Sequence, residues 1–170
     1  LSLPGMIRNK LSITFGCDVA ALFSLEEFSV LLGILSRLTP HCRFGWLRCL
    51  VGGWTSSHRL QFDYRLSCIF GCRDCKDDII HYMQCPILWG FAIDHFNGEE
   101  SIVLEQRLCL RLPSVKKVLR LNFCVDLYHL IRNDSFFFSS QHPAVVQPAL
   151  LRKAAEHAVF VASRLQPSVQ

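Results

Sequence analysis

Apolar residues recur at helical spacing along most of the chain and almost nowhere alternate with polar ones at the period of two that marks a half-buried strand. Phe28, Leu31, Leu32, Leu35 and Leu38 fall on one face of a helix. Ser24-Leu-Glu-Glu27 opens it as a capping box, with the Ser24 hydroxyl accepting from the Glu27 amide, and Thr39-Pro40 ends it. A second helix is predicted over 42–51 with Phe44, Leu47, Leu50 and Val51 inward, stopped by Gly52-Gly53. After a polar connection over 54–59, Asp77 or Asp78 caps a short helix carrying Ile79, Ile80, His81 and Cys85. Pro86 suits the first turn of another helix to about 96, and Asn97-Gly98 is a turn. Helical pattern returns over 101–112 and over 114–131, where Val115, Val118, Leu119, Leu127, Leu130 and Ile131 form a stripe. A last helix is expected over 148–165. The predicted fold class is all-α, a small helical bundle.

Composition supports a folded chain: 51% of the 170 residues are hydrophobic and 19% charged. The apolar runs are too short or too interrupted to span a membrane, and no small-residue cleavage site follows the N-terminal run, so no signal peptide is read. The expected setting is intracellular and reducing, nucleus or cytoplasm, where disulfides rarely persist. Nine cysteines, an odd number, also fit a disulfide framework poorly.

The net charge of +4 hides a sharper pattern. Six arginines (37, 43, 48, 59, 65, 73) face only Asp63 between Arg37 and Arg73. Arg107, Arg111, Lys116, Lys117 and Arg120 form a second segment with no acid. Such segments read either as solvated helix faces or as a directed potential with phosphate as its target.

Cys68-Ile-Phe-Gly-Cys72-Arg-Asp-Cys75-Lys-Asp-Asp-Ile-Ile-His81-Tyr-Met-Gln-Cys85 concentrates metal-ligand chemistry. Zinc takes four ligands in a tetrahedron, commonly thiolate and imidazole, and a site closed by four protein ligands is structural. His81 and Cys85, four apart, project from one helix face, and Gly71 permits the tight turn between Cys68 and Cys72. Two ligand sets fit: Cys68, Cys72, His81 and Cys85, or Cys72, Cys75, His81 and Cys85. Spacing alone favours the second, close to a retroviral-type zinc knuckle. Arg73 and Ile80, however, stand where a knuckle carries an aromatic and a glycine.

In its context the cluster resembles a known family. Trp46-Leu-Arg48, Gly53-Trp54-Thr-Ser-Ser-His58-Arg59, Cys68-Ile-Phe-Gly-Cys72, Asp77-Asp-Ile-Ile-His81-Tyr82, Cys85-Pro86 and Leu88-Trp89 are similar to the segment that follows the reverse transcriptase in non-LTR (LINE-type) retrotransposon polyproteins. The resemblance covers about residues 40–95. It implies Cys68, Cys72, His81 and Cys85 as the ligands, with Cys75 an extra thiol. It also implies a module that helps grip template RNA or target DNA beside an upstream reverse transcriptase domain. The basic 37–73 segment, with Trp46 and Trp54 among its arginines, leads us to expect weak binding of RNA or single-stranded DNA without strong sequence preference. Arg43, Arg48, Arg59, Arg65 and Arg73 would meet phosphates, with Trp54 and His58 available to stack on bases.

The chain departs from the whole polyprotein in lacking the polymerase's aromatic-x-Asp-Asp turn and any endonuclease-like cluster, and it starts without methionine. The expectation is therefore the terminal piece of a longer or decayed reading frame, not an enzyme by itself. Its organisation reads as a weakly patterned 1–23, a helical hairpin 24–53, a zinc-binding module 54–97, a helical pair 98–134, a loop 135–147 and a C-terminal helix 148–170. The alternative is a zinc-scaffolded protein–protein interaction module. A cysteine-nucleophile enzyme using Cys42 or Cys49 with His41 or His58 has no support from spacing.

Overall fold

A computed structural model of the chain describes residues 2–16, 18, 21, 23–57, 59–60, 66–96, 103–134 and 143–163. The fold is all-α: helices α1 (Leu3–Phe15), α2 (Leu25–Ser36), α3 (Pro40–Leu50), α4 (Ile79–Gln84), α5 (Pro86–Phe96), α6 (Leu104–Arg107), α7 (Val115–Arg132) and α8 (Pro143–Ala162). No strand is formed among the described residues, and Ser67 pairs with Lys76 in an isolated antiparallel bridge. His58, Arg65, the Asn97-Gly98 turn and the three consecutive phenylalanines at 136–138 lie outside the described residues.

Helix α7 is the axis of the bundle, with α2, α3, α5, α6 and α8 packed on it. Its apolar stripe turns out to be almost a full circumference, since Val118 through Val125, Leu127, Tyr128 and Ile131 are all buried. A helix apolar all round belongs in the centre of a bundle, and two polar side chains enter with it, Arg120 and Asn122. Asn122 Nδ2 donates to the Cys42 carbonyl at 3.1 Å and to the Val118 carbonyl at 2.9 Å, which ties α3 to α7. A Cβ on Gly45 would stand 2.0 Å from Asn122 Oδ1, so only glycine allows this approach.

Several elements differ from expectation. Helix α3 begins at Pro40, in the first helical turn where proline forfeits no bond. It buries Cys42, Gly45, Trp46, Cys49 and Leu50, while Phe44, Leu47 and Val51 are exposed. The cysteines act as small apolar residues, and counting them so rotates the inward face. Leu32 and Leu130 are likewise exposed, and Ile34 is inward instead. The weakly patterned N-terminus forms α1, capped by Ser2 and burying only Ile7 and Leu11.

Of the predicted helix over 101–112, α6 is the described helical part. It ends in a Schellman arrangement, with Leu110 N donating to Glu105 O at 2.8 Å, Cys109 N to Gln106 O at 3.1 Å, and Cys109 left-handed at φ 60. No glycine announces that stop. Helix α8 starts at Pro143, five residues earlier than expected, and encloses Pro148, which forgoes one helical hydrogen bond. No helix among the described residues is long and apolar enough to cross a membrane.

Candidate metal centre

The metal-ligand cluster is built from a tight loop and the helix that follows it. Cys68 N donates to Cys75 O and Asp77 N to Leu66 O, both at 2.9 Å, closing 66–77 into a hairpin-like loop around the single bridge. Inside it Gly71, at φ 89, turns the chain back and donates to Cys68 O at 3.0 Å. Asp78, rather than Asp77, caps α4, with Oδ1 accepting from His81 N at 2.7 Å. His81 then lies in the first turn of α4 and Cys85 at its C-cap, on one face.

These two pieces bring one donor atom each from Cys68, Cys72, His81 and Cys85 within 4.8 Å of one another. Cys85 Sγ lies 3.9 Å from Cys68 Sγ and 3.5 Å from Cys72 Sγ. Two thiolates about 2.3 Å from one tetrahedral ion stand about 3.8 Å apart. The observed spacing therefore suits a shared ion, and it is too wide for a disulfide bond. His81 Nε2 is enclosed and makes no hydrogen bond, an expense of about 1–3 kcal/mol for a buried polar atom that a bound cation would relieve. Cys75 is outside the group; its carbonyl holds the loop and its thiol is half-buried.

Electrostatics point the same way. The hydrogen bond from Cys85 holds the Cys68 thiol down to about 4, and that same contact pushes the Cys85 thiol up. Charge on one sulfur is accommodated at the expense of its neighbours, and three thiolates so close require a cation between them. The chemistry of the set, three thiols and one imidazole, closes a four-ligand shell and leaves no coordination position for a reacting water. A metal ion can be held here by residues of this chain alone.

Beneath the loop lies an aromatic floor. The Trp54 ring stacks on Tyr82 and packs on Tyr128, with centroids 5.6 and 4.7 Å away, while its Nε1 donates to Cys49 Sγ at 3.4 Å. Asp77 is buried in this floor. Its carboxylate accepts from Ser57 N at 2.6 Å, from the Tyr82 hydroxyl at 2.6 Å and from the Tyr128 hydroxyl at 3.1 Å, with Arg132 Nη1 at 3.8 Å. One carboxylate thus fastens the metal loop to α4, to the 54–57 connection and to α7. The sequence reading missed this role because an acid beside a helix start reads as a cap.

The expected phosphate and base contacts divide. Arg48, Arg59 and Arg73 are exposed. Arg43 is committed to the end of α2, its Nε and Nη2 donating to the Leu35, Ser36 and Leu38 carbonyls. Trp54 is corrected: it is fully buried, and its faces are occupied by Tyr82 and Tyr128, so no base can stack on it in this fold. The second basic segment is also largely structural. Arg107 lies over the Trp89 ring at 4.7 Å and donates to Met83 O, and Arg120 is buried. Lys117 donates to the Arg111 and Leu112 carbonyls. Cys42 and Cys49 are fully buried, and burial pushes the Cys49 thiol up to about 12, the opposite of an activated nucleophile.

Protein-family models, curated proteins and solved structures contain no match to this chain, so the assignment of this centre rests on its own geometry.

Proposed function

We propose that Cys68, Cys72, His81 and Cys85 hold one structural zinc ion, and that the helical module around it binds RNA or single-stranded DNA as a non-catalytic C-terminal part of a retrotransposon reverse-transcriptase-like polyprotein. The observation that carries the zinc reading is the three-sulfur, one-imidazole group within 4.8 Å. Zinc prefers this donor set, and when bound it would lock the 66–77 loop onto α4. For nucleic acid the support is narrower: Arg59 and Arg73 are exposed on either side of the loop start, and Arg48 is exposed on the last turn of α3.

Three phosphate contacts would make log affinity fall against log salt with a slope of about −2, using the single-strand coefficient. Fluorescence anisotropy with a labelled oligouridine, titrated at several salt concentrations, measures it. Arg59→Glu with Arg73→Glu should flatten the slope and weaken binding. Salt-independent binding, or a slope unmoved by the double reversal, would reject the nucleic-acid reading.

One observation favours the protein–protein alternative. Leu3, Ile7, Phe28, Leu32, Leu35 and Leu47 line an apolar groove of about 360 Å³ between α1, α2 and α3. Apolar docking there would be insensitive to salt and to both reversals.

A further inference from the structure

On the side of α7 bearing Asp126 a second, separate cluster converges on that carboxylate. His41 Nε2, from the first turn of α3, lies 2.8 Å from both Asp126 oxygens. His157 Nε2, from α8, lies 3.6 Å from Asp126 Oδ2. That distance is beyond an ordinary hydrogen bond, and His157 Nε2 is enclosed with no hydrogen-bond partner. The three residues line a cleft of about 510 Å³ together with His129 and Lys153. His129 sits one turn after Asp126 on the same face of α7, its Nδ1 engaged by the Val125 carbonyl at 2.7 Å. Lys153 is paired with Asp134, so Asp126 is the carboxylate that the imidazoles address.

From this geometry we infer a second metal site, in which His41, Asp126 and His157 take a divalent transition ion such as Co²⁺, Ni²⁺ or Zn²⁺ at the mouth of the cleft. Two imidazoles and a carboxylate are the donor set of open, incompletely filled sites of this class. Ligands about 2.1 Å from one ion at 90–110° stand about 3.0–3.4 Å apart, and the observed nitrogen-to-oxygen distances bracket that range. Among the described residues the Cys68 cluster alone has three or more donor atoms within 4.8 Å, so here the two imidazoles stand further apart. His41, 42% exposed in the first turn of α3 and already against both Asp126 oxygens, is the side chain whose movement towards His157 on metal binding closes the gap. The enclosed His157 nitrogen gains the partner it lacks. Unlike the cysteine centre, three protein ligands leave positions open to water or to a small ligand in the cleft.

The test uses the full chain, reduced and loaded with a single equivalent of zinc, which the four-ligand cysteine centre takes in preference to the three-ligand cleft, and titrates Co²⁺ by calorimetry and absorbance. One further equivalent should bind without the thiolate-to-cobalt charge-transfer band that a cysteine site would show. His41→Gln and His157→Gln should each weaken it about tenfold or more. His95→Gln, outside the cleft, should leave it unchanged. The exposed His41 position keeps the test decisive if the His157 variant fails to fold. No further equivalent, one accompanied by thiolate charge transfer, or one that both cleft variants retain at full affinity would overturn the site. The zinc content before titration reports separately on the cysteine centre.

Discussion

The residue that most constrains the metal centre is not a ligand. Asp77 is 1% exposed and gathers Ser57, Tyr82, Tyr128 and Arg132 beneath the loop, whereas its neighbour Asp78 performs an ordinary cap. Asp77→Ala leaves the Ser57 amide and the Tyr82 hydroxyl without their acceptor inside the protein. It should cost about 3–5 kcal/mol, as for breaking one partner of a buried charged network. Asp78→Ala should cost about 1 kcal/mol, the usual loss of an N-cap. Urea unfolding of the two variants gives the comparison, and equal losses would mean that Asp77 is also no more than a cap. The pair shows where reading residues from sequence stops. Both aspartates are acids before a helix, and only the placement of Tyr128, far along the chain, tells them apart. The Cys/His cluster was legible because ligand spacing is local; spacing alone favours Cys75 over Cys68, the family resemblance favours Cys68, and the folded loop gathers Cys68 with Cys72, His81 and Cys85.

Among the elements, the α3–α7 contact depends on the smallest residue in it. With Asn122 held by the Cys42 and Val118 carbonyls, a methyl group at Gly45 has no room. Gly45→Ala should destabilise by about 1–3 kcal/mol through overpacking, in spite of alanine's better helix propensity. The same substitution at Gly33 or Gly90, where a Cβ meets nothing within 4 Å, should be neutral or stabilising. Thermal melts of the three variants separate these outcomes, and a stabilised Gly45→Ala would mean that α3 and α7 lie further apart. Helix α2 was legible from its capping box and α5 from Pro86, both local signals. The face of α3 was misjudged because Cys42 and Cys49 were weighed as chemistry, when here they pack as apolar side chains. The end of α6 was missed because Cys109 takes the left-handed position normally held by glycine.

For the whole molecule, buried thiols set an alkaline limit and the cysteine centre ties the 66–77 loop to α4. Burial raises Cys49 from 9.0 to about 12 and raises Cys109 and Cys124 as well. The folded state therefore holds these protons more tightly than the unfolded chain. Their contribution is complete below pH 9 and is lost as pH rises towards 12, so the helical circular dichroism signal should collapse in that window. Retention of the signal at pH 12 would place these thiols in contact with water. The most direct test of the account is native mass spectrometry of the protein purified under reducing conditions, before and after chelation. The prediction is one tightly held zinc per chain in protein carried through purification without added metal, no disulfide mass deficit, and loss of protection from hydrogen exchange across 66–89 once the metal is removed. Structural zinc is worth on the order of 10 kcal/mol. Cys75→Ser should keep the zinc and Cys72→Ser should release it. A metal-free chain with its exchange protection intact, or equal zinc loss from both variants, would contradict the assignment of Cys68, Cys72, His81 and Cys85.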